Sequence, residues 1–436
     1  MRVLVTSCSE RTFLQMMAPV AWALRTAGHE VCFASQPELT EQITRTGLAA
    51  VPIGRNRGAW RIAALHVDER EAGRPDLPAP YDAPVLPPES RDWAAMRDGY
   101  EAFTTRYHGG GWHVTDNFPM IADLVAYARQ WQPDLVLWEP TTYAGGLAAQ
   151  ACGAAHGRLL WSIDVFGAAR EIYLDLAARR PATDREDPMA RWLGGFARKH
   201  GFEFSEELIT GQFSIDQLPG SLSLGAAGHD YLPVQYIPYA SATVVPKWLW
   251  DKPERPRIAV TLGITATDRF NGYAVDLQDV LNALADLDVE VVATVPTKNQ
   301  AELTAVPANV RLVDWAPLHA LVSTCAVVIN HAGPGTLLTC AVAGVPQLTL
   351  PFDFDEPELA RRAAEQGAAL VVRPQEATPE AIRAAVRRLL DEPRFASRAA
   401  ALRDEIRALP SPNDLVTELE RRVEHHRATR EQRCAS

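Results

Sequence analysis

No apolar run in the 436 residues approaches the roughly 18 needed for a membrane-crossing helix. The N-terminal apolar stretch is broken by Glu10 and Arg11, so it does not read as a secretory leader either. Cysteine is scarce. Cys8, Cys32, Cys152, Cys325, Cys340 and Cys434 are scattered and form no C-x-x-C pair, which argues against a disulfide framework or a zinc site. A reducing, cytoplasmic setting is expected. Positive charge is in deficit: 43 Lys and Arg stand against 54 Asp and Glu, a net charge of −11. That balance excludes a chain whose main task is to grip nucleic acid phosphates, while leaving room for one small anion pocket. The chain also has no Walker lysine, no G-x-G-x-x-G and no internal repeat beyond two similar halves.

What is present is ordinary globular material, 47% apolar and 22% charged. At about 150 residues per domain it suffices for two or three domains. Arg2-Val3-Leu4-Val5-Thr6 is a β-branched run, followed by a helical pattern through Val20, Ala21 and Leu24 that ends at Gly28. A second strand then follows over Val31-Cys32-Phe33-Ala34. This βαβ unit implies a parallel sheet. Residues 135–138 and 158–161 read as further strands of it. Residues 75–90 hold six prolines, which helices and central strands do not tolerate. The span 55–115 is therefore expected to be long loops and short helices over the C-terminal edge of the sheet.

A second α/β block starts near Arg257, with strands expected at 258–263, 289–295, 310–313, 326–330, 347–350 and 369–372. The spacing predicts a Rossmann-like domain over 257–410, preceded by a first domain over 1–232. A five-proline linker, 233–256, joins them. Over 411–436 an amphipathic helix is expected at 413–424, with Leu415, Val416, Leu419 and Val423 on one stripe. The last ten residues, charged and polar, read as disordered.

The sharpest chemical segment is Asn330-His331-Ala332-Gly333-Pro334-Gly335-Thr336, a strand end running through a small-residue turn into a helix. Unpaired amides and the partial positive charge of a helix N-terminus suit a diphosphate, and glycines allow its close approach. His331 and Thr336 add a ring nitrogen and a hydroxyl. A tight turn beside a satisfied core histidine is the plainer reading of the same residues. Thr265, after the strand at 258–263, is a second phosphate candidate. Trp315 could present a ring for a base to stack on, or belong to the core. Asp355 and Glu356, past another strand end, suit sugar hydroxyls, although Asp355 also reads as a helix N-cap. Together these features describe a sugar nucleotide site.

His331-x-Gly333-x-Gly335-Thr336, Gly344-Val345-Pro346-Gln347, Pro351 and Asp355-Glu356 resemble the nucleotide-sugar domain of family 1 GT-B glycosyltransferases. Nearly the whole chain resembles the actinomycete antibiotic transferases that attach deoxysugars to macrolides and anthracyclines. The likeness runs through Pro19–Val31, Gln36–Val51, Trp131–Pro140, Glu206–Asp216 and Tyr236–Trp248. It implies an α/β fold of two Rossmann-like domains facing a cleft, with the C-terminal helix crossing back to the first. It further implies a dTDP-deoxysugar as co-substrate, a hydrophobic polyketide aglycone as acceptor, inversion at the anomeric carbon, and no metal or other cofactor. A cytochrome-P450-like activator protein is an implied partner, docking near 170–215.

One departure stands out. Alignment through Pro19 puts Phe13 where such proteins carry the histidine that deprotonates the acceptor, whereas the carboxylate that orients this histidine falls on Glu139. Loss of general-base help costs about 10²–10⁴ in rate. Glu139 is then the expected base, with Asp164 or His113 as acceptor-cleft alternatives. His108 and His113 sit in a glycine-rich aromatic stretch that reads equally as cleft lining or surface turn. Phe13 also motivates a reading of a different class, a catalytically silent nucleotide-sugar-binding homologue that partners another transferase. A GT-B epimerase or a dinucleotide oxidoreductase fits less well.

Overall fold

The computed structural model describes residues 1–56, 80–107, 120–239, 243–263 and 273–435. Seven parallel strands form the first sheet: β1 Arg2–Thr6, β2 Glu30–Ser35, β3 Ala49–Pro52, β4 Leu135–Trp138, β5 Ala155–Leu159, β6 Ser214–Asp216 and β7 Tyr231–Pro233. Their order is β3-β2-β1-β4-β5-β6-β7. The second sheet holds β8 Arg257–Thr261, β9 Glu290–Thr294, β10 Val310–Val313, β11 Val327–Asn330, β12 Gln347–Thr349 and β13 Ala369–Val371, in the order β10-β9-β8-β11-β12-β13. Both are α/β sheets of Rossmann type. Each reverses strand order once, between β1 and β4 and between β8 and β11, and ligands of such sheets bind outside the strand ends at that reversal.

The helices of the first half are α1 Arg11–Thr26, α2 Thr40–Arg45, α3 Trp93–Tyr107, α4 Met120–Trp131, α5 Ala144–Cys152, α6 Val165–Ala178, α7 Pro188–Lys199 and α8 Glu207–Thr210. Those of the second are α9 Leu277–Leu284, α10 Thr297–Gln300, α11 Leu318–Val322, α12 Pro334–Ala343, α13 Glu356–Gln366, α14 Pro379–Asp391, α15 Pro393–Arg407 and α16 Pro412–Ala435. Among the described residues no helix is long and apolar enough to cross a membrane.

Several expectations need correction. The span 55–115 contains α3, a helix of 15 residues, because Met96, Tyr100 and Phe103 bury one of its faces against the first domain. The strand expected at 158–161 is β5, three residues earlier. It is set by the parallel register of Leu135–Trp138 on Ala155–Arg158, and Leu160 and Trp161 follow after its end. The tail is helical, not disordered, as far as Ala435, where α16 ends. Arg427 is paired with Asp134, and Arg430 donates to the carbonyl of Gly153 at 2.8 Å.

Leu415, Val416, Leu419 and Val423 of α16 join Val20, Leu24 and Leu137 in one core of the first half. Fully burying such side chains contributes about 1.5–3 kcal/mol each. Arg422 adds a 2.6 Å ion pair to Asp230, and Glu420 lies 3.1 Å from His29 in the turn before β2. The final helix thus belongs to the first sheet's core, although its sequence follows the second sheet.

Candidate active site

Register places the ends of β8 and β11 side by side, with Thr261 opposite Asn330. The residues just beyond form the second sheet's site. The imidazole of His331 fits between two glycines: a Cβ on Gly263 would lie 2.6 Å from its Cε1, and one on Gly333 would lie 2.3 Å from its Nε2. Only a residue without a side chain leaves that slot open. Gly263 also has φ +76°, a left-handed conformation that favours glycine.

The turn is pinned from below. Asn330 accepts from the amide of Ala332 at 2.8 Å and donates to Gln347 at 2.9 Å, while Gln347 donates to the carbonyl of Leu337 at 3.2 Å. This buried pair holds Ala332 at φ +65°, an unfavourable angle for alanine. Asn330 was not among the expected site residues. A polar residue closing an otherwise apolar strand was the available signal.

α12 then starts with Pro334, which lacks an N–H, so the first outward amide belongs to Gly335. The Thr336 amide turns back to the Gly333 carbonyl at 3.0 Å. Burial lowers the His331 pKa to about 4, outweighing the nearby Thr261 carbonyl and the Asp353 charge. The ring is therefore neutral at pH 7 and can donate from one nitrogen. Its Nε2 lies 3.7 Å from Glu356.

Glu356 accepts from the amides of Phe352 and Asp353, both at 2.9 Å. Burial, then the Asp353 charge, pushes its carboxyl well above the ordinary value. Asp355 caps the start of α13 without a side-chain cap bond and accepts from Ser162 of the first domain. Trp315, just past β10, is 47% exposed. Thr265 lies outside the described residues, as do His108 and His113.

In the first sheet the corresponding place past β4 belongs to Glu139. It is fully buried and accepts from the Thr141 amide (2.8 Å), the Thr141 hydroxyl (2.7 Å), the Thr142 hydroxyl and the Trp161 indole N–H (3.3 Å). Burial outweighs those hydrogen bonds and raises its pKa. Phe13, on α1, stacks on Trp161 with ring centres 4.8 Å apart and planes at 20°. The position of the expected histidine is thus filled by a ring that touches the indole bound to Glu139. Neither Trp161 nor the two threonines were singled out in the sequence. The only hint was their nearness to the ends of β4 and β5.

Asp164 is not a cleft residue, which corrects that expectation. It is completely buried and bonds Arg158 through both oxygens, at 3.0 and 2.5 Å. It also caps α6 at the Gly167 amide (2.8 Å) and accepts from the Tyr231 hydroxyl (2.7 Å). Burial alone would raise its pKa, but the Arg158 charge and these hydrogen bonds hold it below the ordinary value. Every lone pair is engaged, so it has none left for a substrate. Among the described residues no cluster of His, Cys, Asp and Glu could hold a metal ion.

Models of the N- and C-terminal domains of the erythromycin biosynthesis protein CIII-like family match residues 22–263 and 278–421. The chain belongs to this family. It is 46% identical over 429 residues to 10-deoxymethynolide desosaminyltransferase of Streptomyces venezuelae, covering 98% of both chains. Aklavinone 7-beta-L-rhodosaminyltransferase of Streptomyces galilaeus is 42% identical over 98% of this chain and 97% of that one. Among solved structures, glycosyltransferase VinC in complex with dTDP superposes with a TM-score of 0.85 at 40% identity, over 98% of this chain and 100% of that one. This CIII-like chain is accordingly a GT-B enzyme, a nucleotide-sugar-dependent glycosyltransferase of antibiotic biosynthesis. Its relatives transfer deoxysugars to macrolide and anthracycline aglycones.

Proposed function

We propose that this enzyme transfers a deoxysugar from a dTDP-sugar to a hydroxyl of a polyketide aglycone, with inversion at the anomeric carbon. The observation that carries the donor half is the His331 ring held between Gly263 and Gly333 at the strand reversal, beside the first turn of α12. A diphosphate there would meet a ring N–H, the amide of Gly335 and the hydroxyl of Thr336, with Thr265 as a further contact. Trp315 would stack on thymine, and Asp355 and Glu356 would face sugar hydroxyls. As the acceptor oxygen bonds to the anomeric carbon, the bond to the diphosphate breaks. The charge that develops on dTDP is stabilised by these fixed donors.

The acceptor proton goes to Glu139. Because this carboxylate is sealed from solvent, the proton passes through the hydroxyl of Thr141, which donates to Glu139 and can accept from the aglycone. Free cysteines at positions 32, 152, 325 and 340 fit a cytoplasmic setting. The implied P450-like activator is a partner to include and omit in reconstitution. Isothermal titration of dTDP, with UDP as control, tests the donor half. Wild type is expected to prefer dTDP, and His331→Ala to weaken it tenfold or more. Absence of nucleotide binding by wild type would overturn the reading.

A further inference from the structure

Phe354 comes from the loop between β12 and α13 in the donor half, at φ +43°, a conformation that phenylalanine rarely adopts. Its ring reaches the first domain and lies 5.6 Å from Phe166, 5.8 Å from Tyr81 and 6.3 Å from Trp161, centre to centre. Trp161 is the indole that stacks on Phe13 and bonds Glu139. The neighbour of Phe354, Asp355, bonds Ser162, the residue after Trp161. Two adjacent donor-half residues thus meet two adjacent acceptor-half residues across the cleft.

We propose that Phe354 is a specificity-determining residue for the acceptor, supplied by the donor domain. With Trp161 it forms the part-exposed wall of an aglycone pocket, and the buried rings of Phe166 and Tyr81 back it from behind. The occupant is an apolar ring system, because the side chains that meet here are aromatic, and Trp161 is hydrogen-bonded to the Glu139 that the Thr141 hydroxyl serves. One loop thereby carries both a sugar-facing carboxylate and an aglycone-facing ring, and the pocket is whole only when the two halves meet. This rests on the aglycone reading given above.

Phe354→Gly is the informative variant. Glycine accepts the positive φ without strain, so the substitution removes the ring and leaves the loop backbone favoured. With aklavinone and 10-deoxymethynolide as acceptors, the aglycone KM is expected to rise about tenfold or more, with kcat within threefold and dTDP affinity within twofold. Phe354→Leu should recover part of the loss. An unchanged aglycone KM in Phe354→Gly overturns the proposal. Amide hydrogen exchange on the full chain gives a readout that needs no turnover. Exchange at 83–85 and 166–169 is expected to quicken several-fold in Phe354→Gly, and unaltered exchange there also overturns the proposal. Failure of wild type to bind dTDP would instead strike the donor assignment and leave the exchange comparison intact.

Discussion

Replacing Gly333 by alanine tests whether the glycines exist to seat the His331 ring. The backbone at Gly333 has φ −55° and ψ 133°, which alanine adopts freely, so the fold itself has no reason to object. The new methyl would sit 2.3 Å from Nε2, and the ring must retreat by about 1 Å in a well-packed site. A hydrogen bond to a charged group is worth about 1.5–3 kcal/mol, so misplacing the ring should weaken dTDP roughly ten- to hundredfold. Calorimetry on Gly333→Ala, His331→Ala and the double variant forms a cycle. If the methyl acts only through the ring, the double variant binds dTDP no worse than His331→Ala alone. Losses that simply add would refute the reasoning, because Gly333 would then serve the nucleotide directly.

Glu139→Gln is expected to abolish turnover while leaving dTDP titration unchanged; a variant that still turns over removes Glu139 from the proton path. Asp164→Asn strips the counter-charge from a completely buried Arg158 and should cost about 3–5 kcal/mol in urea unfolding. A loss below about 1 kcal/mol would show that the pair is not needed for stability. Stability should also decline in mild acid. Burial lowers His156 to about 3 and His331 and His229 to about 4, whereas the unfolded chain takes up these protons near pH 6.5. Their contribution is therefore complete above pH ~6.5 and is lost as pH falls towards 4. Asp216, raised by burial to about 6, works in the opposite direction, as do the raised carboxyls of Glu139, Glu356 and Asp82, while burial also lowers His29 and His200, so that five histidines stand against four carboxyls. The urea midpoint should be lower at pH 5 than at pH 7.5, and an equal or higher midpoint at pH 5 would contradict this account.

The features legible in the sequence were those set locally. A β-branched run, a helix ended by glycine and a second run declare a parallel sheet, and a strand entering His331-Ala332-Gly333-Pro334 declares its own turn and helix start. Short strands such as β3, β6 and β7 were not legible. Three or four residues carry no period, and their order comes from the neighbour that supplies hydrogen bonds. Asp164 was misjudged for a related reason. Its partner Arg158 lies six positions earlier, and only the end of β5 turns the two side chains towards each other. The helical extension to Ala435 depends on Asp134 and the Gly153 carbonyl, both hundreds of residues away in sequence. Phe354 and Trp161 likewise acquire meaning only when the two halves face each other.

The placement of α16 bears on how the protein is made. The first sheet's core includes Leu415, Val416, Leu419 and Val423, so this half lacks part of its interior until those residues, well beyond the second sheet, have been made. Translation at about 5–20 residues per second separates the end of β7 from α16 by roughly 10–40 s. During that interval the face of α1 that will receive the final helix stands open, and the second domain has time to form. The first domain is thus the earliest to begin folding and the last to be sealed, by a helix that arrives from beyond its partner domain.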